Sequence, residues 1–414
     1  MKFWKLGTVL LFLAVFVTQG LSQTEGSLAV DVKKLSDNVA IFKVQGGNTN
    51  IVALNSDKGI VVIDTDVSPA FAVLLRQAIE KEFGKNDFAY VINTHSHGDH
   101  TGGNQAFADA IIIGHENCPE AMKKDDERRE RSNAQIKAAV EQMKGMRGKM
   151  EEGSDQAKSM AERISYYETM LQGREEDFVL TPPSMTFSEG MMLHVGNLML
   201  DLMYYGTSHS TSDILIHCPQ EGLWVTGDLF FPGVDLYIDS ERVLELPRWI
   251  ANLEKIVQTD EDTKAIVPGH EEFLTMEELK KKRDYVQAKQ EEFAGKESAF
   301  FAFKKAFEEQ GLEVSLKVLK DLKAKPDKFY TLHDEIDQFA YYMMLDEKLD
   351  EALPIFEVLA ELFSDSYLAF DSLGEVYMRK GDKEKAIKSF EKSLELNPDN
   401  QNAAQQLKSL QEKK

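Results

Sequence analysis

Thr94-His95-Ser96-His97-Gly98-Asp99-His100 is the stretch that decides the fold. It follows the apolar run Phe88-Ala89-Tyr90-Val91-Ile92 and precedes Thr101-Gly102-Gly103-Asn104. Three imidazoles and a carboxylate stand within the six residues His95 to His100. A solvated turn has no reason to collect so many borderline-soft metal donors. A strand that delivers His95 and His97 side by side, with Asp99 and His100 where the chain turns into a helix, has the donors for two adjacent metal ions. The sequence reads as a metal site.

Upstream, Val39-Ala40-Ile41-Phe42-Lys43-Val44, Asn50-Ile51-Val52-Ala53-Leu54 and Gly59-Ile60-Val61-Val62-Ile63 read as strands, with Gly46-Gly47 marking a turn. The third strand ends in Asp64-Thr65-Asp66. Phe71, Leu74, Leu75, Ile79 and Phe83 follow helical spacing, and Ala110 to His115 reads as the next strand. Strands first, then strands alternating with helices, predict a layered α/β domain.

From Glu116 to Asp177 the chain becomes charged and Met-rich. Ile136, Val140 and Met143 share one helical face, and Met160, Ile164, Tyr167 and Leu171 share another. Gly145, Gly148 and Gly153 break the run between them, so the segment reads as an inserted helical hairpin. Its methionines either cap a substrate cleft or simply pack, and packing is the commoner use. Strands resume at Met185-Thr186-Phe187 and run from Met191 to Tyr205 with a turn at Gly196-Asn197. Two further strands cover Ile214 to His217 and Leu223 to Asp228. A third ends in Ile266-Val267-Pro268-Gly269-His270, before a helix over Glu277 to Phe293.

Past about Gly295 the chain is helical and different in character. Ala352 and Ala386 stand 34 residues apart, as do Phe356 and Phe390. Leu373-Gly374, Tyr377, Ala386, Phe390 and Pro398 fall in the order and spacing of a tetratricopeptide repeat, which this stretch resembles. Such repeats stack, so the helices between Ala299 and Tyr342 are expected to complete the stack. The tail is a candidate partner-binding groove; a helical cap packed on the catalytic domain, or a surface for self-association, accounts for it equally well.

Of the 414 residues, 43% are hydrophobic, enough for more than one core, and the formal net charge is −22. So acidic a surface repels phosphate backbones and weighs against a nucleic-acid partner. At the N-terminus Lys2 and Lys5 precede the apolar run Val9 to Val17, then small and polar residues. That order predicts a secretory signal peptide over 1–22, cleaved after Ser22, and an exported protein, periplasmic or secreted. The run is well short of the ~20 residues a spanning helix needs, so no membrane span is expected after cleavage. No Cys follows it, so no lipid anchor is indicated. Cys118 and Cys218 each lie beside an apolar stretch and are read as buried free thiols, with a bridge between them left open.

His95, His97, Asp99, His100, His209, Asp228 and His270 all lie at or shortly beyond the end of an apolar strand. This set, with its H-x-H-x-D-H core, resembles the metallo-β-lactamase-fold hydrolase superfamily over about Val30 to Phe293. The resemblance implies an αββα sandwich over 23–293, carrying the helical insertion at 116–177, with the all-α repeat-like domain over 294–414. It also implies two zinc ions per chain, with iron or manganese as alternatives for the same donors. His95, His97 and His209 would bind the first ion, Asp99, His100 and His270 the second, and Asp228 both. Two such ions lower the pKa of a shared water and polarise a carbonyl or ester oxygen. Asp99 would also orient that nucleophile and carry its proton to the leaving group. Asp64 resembles the family's supporting carboxylate, which fixes the tautomer of a ligand imidazole. Asp213 resembles a position that brace the loop of His209, and His115 one that lines the cleft. His194, His217 and His333 have no motif around them and read as structural.

The implied activity is hydrolysis of an ester, thioester, lactone or lactam in a small-molecule substrate. Asp228 stands where one major class of zinc β-lactamases has a cysteine. The loop Phe230 to Tyr237 holds no Lys or Arg to grip a lactam carboxylate, so penicillin hydrolysis is disfavoured. His97 is not the glutamate of flavodiiron proteins. A mononuclear-iron persulfide dioxygenase shares much of the ligand set and stays open, as does an envelope interaction protein built on a retained metallohydrolase scaffold. Phosphodiester cleavage suits the metals but sits poorly with the negative charge.

Overall fold

A computed structural model describes residues 28–175, 178–232 and 246–412. The expected leader at 1–22 and the part of the Phe230–Tyr237 loop from Gly233 onward lie outside these residues. The chain forms two compact units. One comprises the residues up to Met203 with Ile216–Val225 and Gly269–Glu271; the other comprises Tyr204–Leu215, Thr226–Pro268 and Glu272–Lys414.

In the first unit, β1 (Val30–Lys34), β2 (Val39–Val44), β3 (Ile51–Ser56) and β4 (Gly59–Ile63) form an antiparallel meander. Helix α1 (Pro69–Phe83) then crosses to β5 (Phe88–Ile92), and β5, β6 (Ile111–His115) and β7 (Met185–Phe187) continue the sheet in parallel. Spatial order equals chain order across all seven strands. Ser68 caps α1 by accepting from the Phe71 amide at 3.4 Å, and Pro69 opens the helix, where its missing N–H costs nothing.

Both faces of β2 to β4 are buried, which is why those strands read as near-continuous apolar runs. On one face Phe42, Ala53 and Val62 pack with Phe71, Leu75 and Ile79 of α1. The parallel half sets the chemistry. Its strand ends deliver Asp64 after β4, His95 after β5 and His115 at the end of β6, the edge where open α/β sheets bind ligands. The chain then turns into the short helix α2 (Gly98–Thr101).

Between β6 and β7 lie three helices, α3 (Cys118–Asp126), α4 (Arg129–Arg147) and α5 (Asp155–Glu175). The sequence pattern reveals only the last two, because α3 buries just Cys118 and Met122 and so has no apolar stripe. Val140 and Met143 of α4 meet Ile164 and Leu171 of α5 in a small cluster of their own, so the stripes are packing faces. Helix α3 lies against α2, and α5 against α1. A second sheet carries β8 (Gly190–Val195), β9 (Leu198–Met203), β10 (Leu215–Cys218) and β11 (Leu223–Gly227) in spatial order. Cys118 and Cys218 are both buried free thiols.

The second unit contains α6 (Leu246–Val257), β12 (Ala265–Pro268) and α7 (Met276–Phe293), then a helical run. A two-residue strand, β13 (Glu297–Ser298), pairs with β14 (Phe329–Tyr330) around α8 (Ala299–Gln310) and α9 (Leu312–Lys323). Helices α10 (His333–Leu345), α11 (Leu349–Leu362), α12 (Tyr367–Arg379), α13 (Lys383–Leu396) and α14 (Gln401–Glu412) follow. Phe300, Phe303, Ile336, Phe356, Val376 and Phe390 belong to one continuous core across α8 to α14. The 34-residue register has a physical cause: Ala352 and Phe356 of α11, like Ala386 and Phe390 of α13, are fully buried. The Phe390 ring lies where a Cβ on Gly374 would sit, 2.7 Å away at its nearest atom. Among the described residues no helix is long and apolar enough to cross a membrane. The expected α/β class, helical insertion and all-α tail are present.

Candidate metal centre

The loop after β5 is built from buried polar groups with assigned partners. Asn93 and Asn104 exchange side-chain hydrogen bonds at 3.0 and 2.8 Å, and Thr65 Oγ1 donates to Asn104 Oδ1 at 2.8 Å. Gly102 and Gly103 approach the backbone so closely that a Cβ would stand 2.3 Å from the Val67 carbonyl oxygen and 2.1 Å from that of Thr65. Only glycine fits, so the Gly102-Gly103 pair locks the end of α2 onto the Asp64–Val67 loop. Asp64 and Asp66 themselves hold positive φ, 63° and 67°, a strained backbone kept by its surroundings.

Asp64 organises the donors. Its carboxylate accepts from the Thr94 amide at 2.8 Å and the Thr94 hydroxyl at 2.7 Å, and pairs with His100 Nδ1 at 2.8 Å. A carboxylate only accepts, so His100 carries its proton on Nδ1 and presents the Nε2 lone pair. The single Thr94 hydroxyl proton is spent on Asp64. The 3.0 Å contact of Thr94 Oγ1 with His95 Nδ1 therefore has the imidazole as donor, and His95 also presents Nε2. One carboxylate fixes two tautomers.

The presented atoms converge. His100 Nε2 and His270 Nε2 stand 3.2 Å apart, and Asp99 Oδ2 lies 3.0 Å from His270 Nε2 and 3.6 Å from His100 Nε2. His95 packs its ring 4.6 Å from that of His97 and 4.2 Å from that of His100. His270 is held there because Thr49 bridges to it and the Asn50 amide donates to the Gly269 carbonyl at 2.7 Å. Asn50 Nδ2 also donates to the Glu271 carbonyl at 3.0 Å. Two ring nitrogens aimed at one another beside a carboxylate, with His95 and His100 fully buried, form a donor set that a divalent cation fits. Asp66, buried beside them, is pushed up to about 7 by desolvation, with Asp99 adding to the push; the Val67 amide, His100 and His270 oppose it.

In the other unit, His209 and Asp228 are both buried, with His209 Nε2 3.6 Å from Asp228 Oδ2. Asp213 accepts from the Ser210 amide and so braces the His209 loop. Asn252 of α6 donates to Ser208 at 3.3 Å. Of the seven candidate ligands, five thus gather in the first unit and two pair in the second.

The remaining histidines serve elsewhere. His115 is buried, its Nε2 donates to the Ser188 carbonyl at 3.0 Å and its Nδ1 accepts from the Asn117 amide at 3.2 Å. Burial holds its pKa below the usual imidazole range. His217 stacks on Trp224 at 4.1 Å, His194 is exposed on β8, and His333 starts α10. Sequence reading missed Asp66, whose only signal is its place in Asp64-Thr65-Asp66.

Residues 44–270 match the model of the metallo-beta-lactamase superfamily, and residues 367–400 match a tetratricopeptide repeat. A curated relative, the 2,4-dinitroanisole O-demethylase subunit alpha of Nocardioides sp. (strain JS1661), is 24% identical over 233 residues. That match covers 56% of this chain and 55% of the relative, so the chain spans about half the length of the relative it matches. Among solved structures, a metallo-beta-lactamase from Pontibacter korlensis is 16% identical with a TM-score of 0.42, over 62% of this chain and 99% of that one. One from Hirschia baltica is 17% identical with a TM-score of 0.42, over 62% and 97%. The FIM-1 enzyme of Pseudomonas aeruginosa is 12% identical with a TM-score of 0.44, over 64% and 97%.

Proposed function

The chain belongs to the metallo-beta-lactamase superfamily, and from that premise we propose that it is an exported, dinuclear zinc hydrolase of small-molecule esters, thioesters, lactones or lactams. The observation that carries the reading is the Asp64 brace, which turns the Nε2 atoms of His95 and His100 outward as ligands. In this reading His95, His97 and His209 hold one ion, Asp99, His100 and His270 the other, and Asp228 both. Divalent ions bound by these donors supply Lewis acidity toward the scissile carbonyl or ester oxygen and lower the pKa of water.

The chain's own residues do the rest. Asp99 keeps 41% of its side chain exposed, unlike His100 at 0%, so its carboxylate faces solvent while remaining within 3.0 Å of His270. From there it accepts the proton of the attacking water and returns it to the leaving oxygen, sulfur or nitrogen. Asp64 and Thr94 keep the imidazoles from rotating. The tetratricopeptide-like tail serves a protein partner or self-association. Export rests on the leader-like order of residues 1–22.

The test is removal of metal by chelation and its restoration with zinc, read on a panel of nitrocefin, a thioester, a lactone, a phosphodiester and 2,4-dinitroanisole. The last is included because a relative is an O-demethylase of that ether by name. Loss of turnover of one acyl class in chelator, regained with zinc, is the expected result. Full activity in chelator overturns the proposal, and a single iron per chain with none of these activities replaces it with the dioxygenase reading.

A further inference from the structure

His270 belongs to the first unit as part of a three-residue piece, Gly269–Glu271, whose flanking segments belong to the second. Contacts from the loop between β2 and β3 fasten that piece. Thr49 bridges to His270, and the Asn50 amide donates to the Gly269 carbonyl at 2.7 Å. On the other side of the imidazole, Asn50 Nδ2 donates to the Glu271 carbonyl at 3.0 Å. Glu271 holds φ at 65°, a left-handed conformation that a glutamate keeps only under restraint. Thr49 and Asn50 are both buried. Where His270 stands therefore depends on where this loop stands.

The loop turns at Gly46, with φ at 88°, and Gly47, whose amide donates to the Val44 carbonyl at 2.9 Å. Two successive glycines offer no side chain to pack and have the most backbone freedom to lose. The helical insertion supplies the contact. Tyr166 of α5 lies across both glycines: a Cβ on Gly46 would stand 3.3 Å from Tyr166 Cβ and Cδ2, and one on Gly47 3.1 Å from Cε2 and the phenol oxygen. The ring is itself fixed, against Phe71 of α1 at 4.7 Å and Tyr167 at 5.4 Å. Further along α5, Met170 enters the core beneath α1. Gly173 then closes on the start of α1, where a Cβ would meet the Ala70 amide at 2.7 Å and Ser68 Oγ at 3.1 Å. Ser68 directly follows the Asp64–Val67 loop, and Asp64 holds His100. Seven residues of helix separate Tyr166 from Gly173 by about 10 Å. One rigid helix thus touches the loop that carries His270 and the loop that braces His100.

We infer that Tyr166 is a positioning residue for His270, and that the inserted helix fixes the 3.2 Å separation of the His100 and His270 Nε2 atoms. That separation suits a shared ion, since two nitrogens each 2.0–2.1 Å from a tetrahedral zinc stand about 3.3 Å apart. The inference rests on the two-metal reading for the ion, but not for the placing of His270. Asp99, His100 and His270 all lie in the first unit, so loosening the loop acts on the ion they hold. His95 and His97 directly follow β5, and their ion is spared. The ring of Tyr166 does this work through packing, so its hydroxyl is dispensable.

The experiment compares the full-length wild type with Tyr166→Ala, Tyr166→Phe and Gly47→Ala. The first readout needs no metal: amide hydrogen exchange in the metal-free chain. In Y166A the Asn50 amide should exchange about tenfold faster or more, as a locally opened contact does. The Asn93 amide, bonded to the Ile113 carbonyl at 2.8 Å, keeps its rate, which a global loss of stability would not allow. Y166F exchanges like the wild type. Equal Asn50 exchange in wild type and Y166A overturns the inference. The second readout is zinc affinity by competition with a chromophoric chelator. In Y166A one of the two affinities should fall about tenfold or more while the other stays within about twofold, the scale and selectivity of a lost supporting contact. G47A, which drives a methyl group against the same ring, should weaken the same ion and add little in the Y166A background. Both affinities falling together, or neither, overturns the inference. Fewer than two ions on the wild type, with Asn50 exchange raised in Y166A, removes the two-metal reading and leaves the positioning of His270 standing.

Discussion

Two buried carboxylates, one in each unit, are each 1% exposed yet are built in opposite ways. Asp64 has three donors within 2.8 Å, two from Thr94 and one from His100. Glu335, on α10, has a single long hydrogen bond from Ser298 Oγ at 3.2 Å, and its Oε1 has no partner among the described residues. Burial, with Asp334 adding like charge and Ser298 opposing, pushes Glu335 up to about 7 from 4.5. The difference teaches what a buried charge is for. Where donors surround it, the carboxylate orients chemistry; where they do not, it is a cost that the apolar core around it must carry.

The largest break in that comparison comes from Asp64→Ala, which strands the Thr94 amide, the Thr94 hydroxyl and His100 Nδ1. Urea unfolding should show a loss of about 3–5 kcal/mol, and metal affinity should drop roughly 10- to 100-fold. A loss under about 1 kcal/mol, the scale of an ordinary surface change, would mean that Asp64 organises nothing.

Glu335→Gln comes next and has the opposite sign. Glu335 binds its proton more tightly folded than unfolded, so its contribution is fully present below about pH 4.5 and is lost as pH rises through 7. Across that window the wild type should lose on the order of 2–3 kcal/mol that the glutamine variant keeps. Unfolding curves of both proteins at pH 4.5 and pH 8 measure it. Equal pH slopes would show that Glu335 ionises freely.

Much of the first arrangement is legible in the chain itself. His95, His97, Asp99 and His100 share one turn, so local spacing exposes them. His270 lies 170 residues beyond His100, and only its place at the end of an apolar strand and its resemblance to a family position single it out. The second arrangement is not legible. Asp334-Glu335-Ile336-Asp337 looks like a solvated helix start, and only the packing of α8 and α10 buries Glu335. Helix α3 escapes notice because it buries only two residues.

Smaller changes sharpen the contrast. Thr94→Val removes one donor from Asp64 and the acceptor of His95 Nδ1, and should cost about 2 kcal/mol while weakening metal binding. Undiminished affinity, measured by competition with a chromophoric chelator, would place the tautomer control elsewhere. Ser298→Ala removes the only donor to Glu335 among the described residues, together with the cap that accepts from the Phe300 amide at 3.2 Å. Its cost should be about 1 kcal/mol, with a steeper loss of stability between pH 4.5 and 8 than the wild type, read from thermal unfolding. A shallower slope would contradict the role of Ser298 in holding that carboxyl down.

The central claim is that these histidines and aspartates hold two divalent ions, and counting ions tests it most directly. Native mass spectrometry of the zinc-loaded chain should find two ions in the wild type, the stoichiometry of a two-metal site, and one in His100→Ala. No retained ion, or the same number in both proteins, would contradict the account.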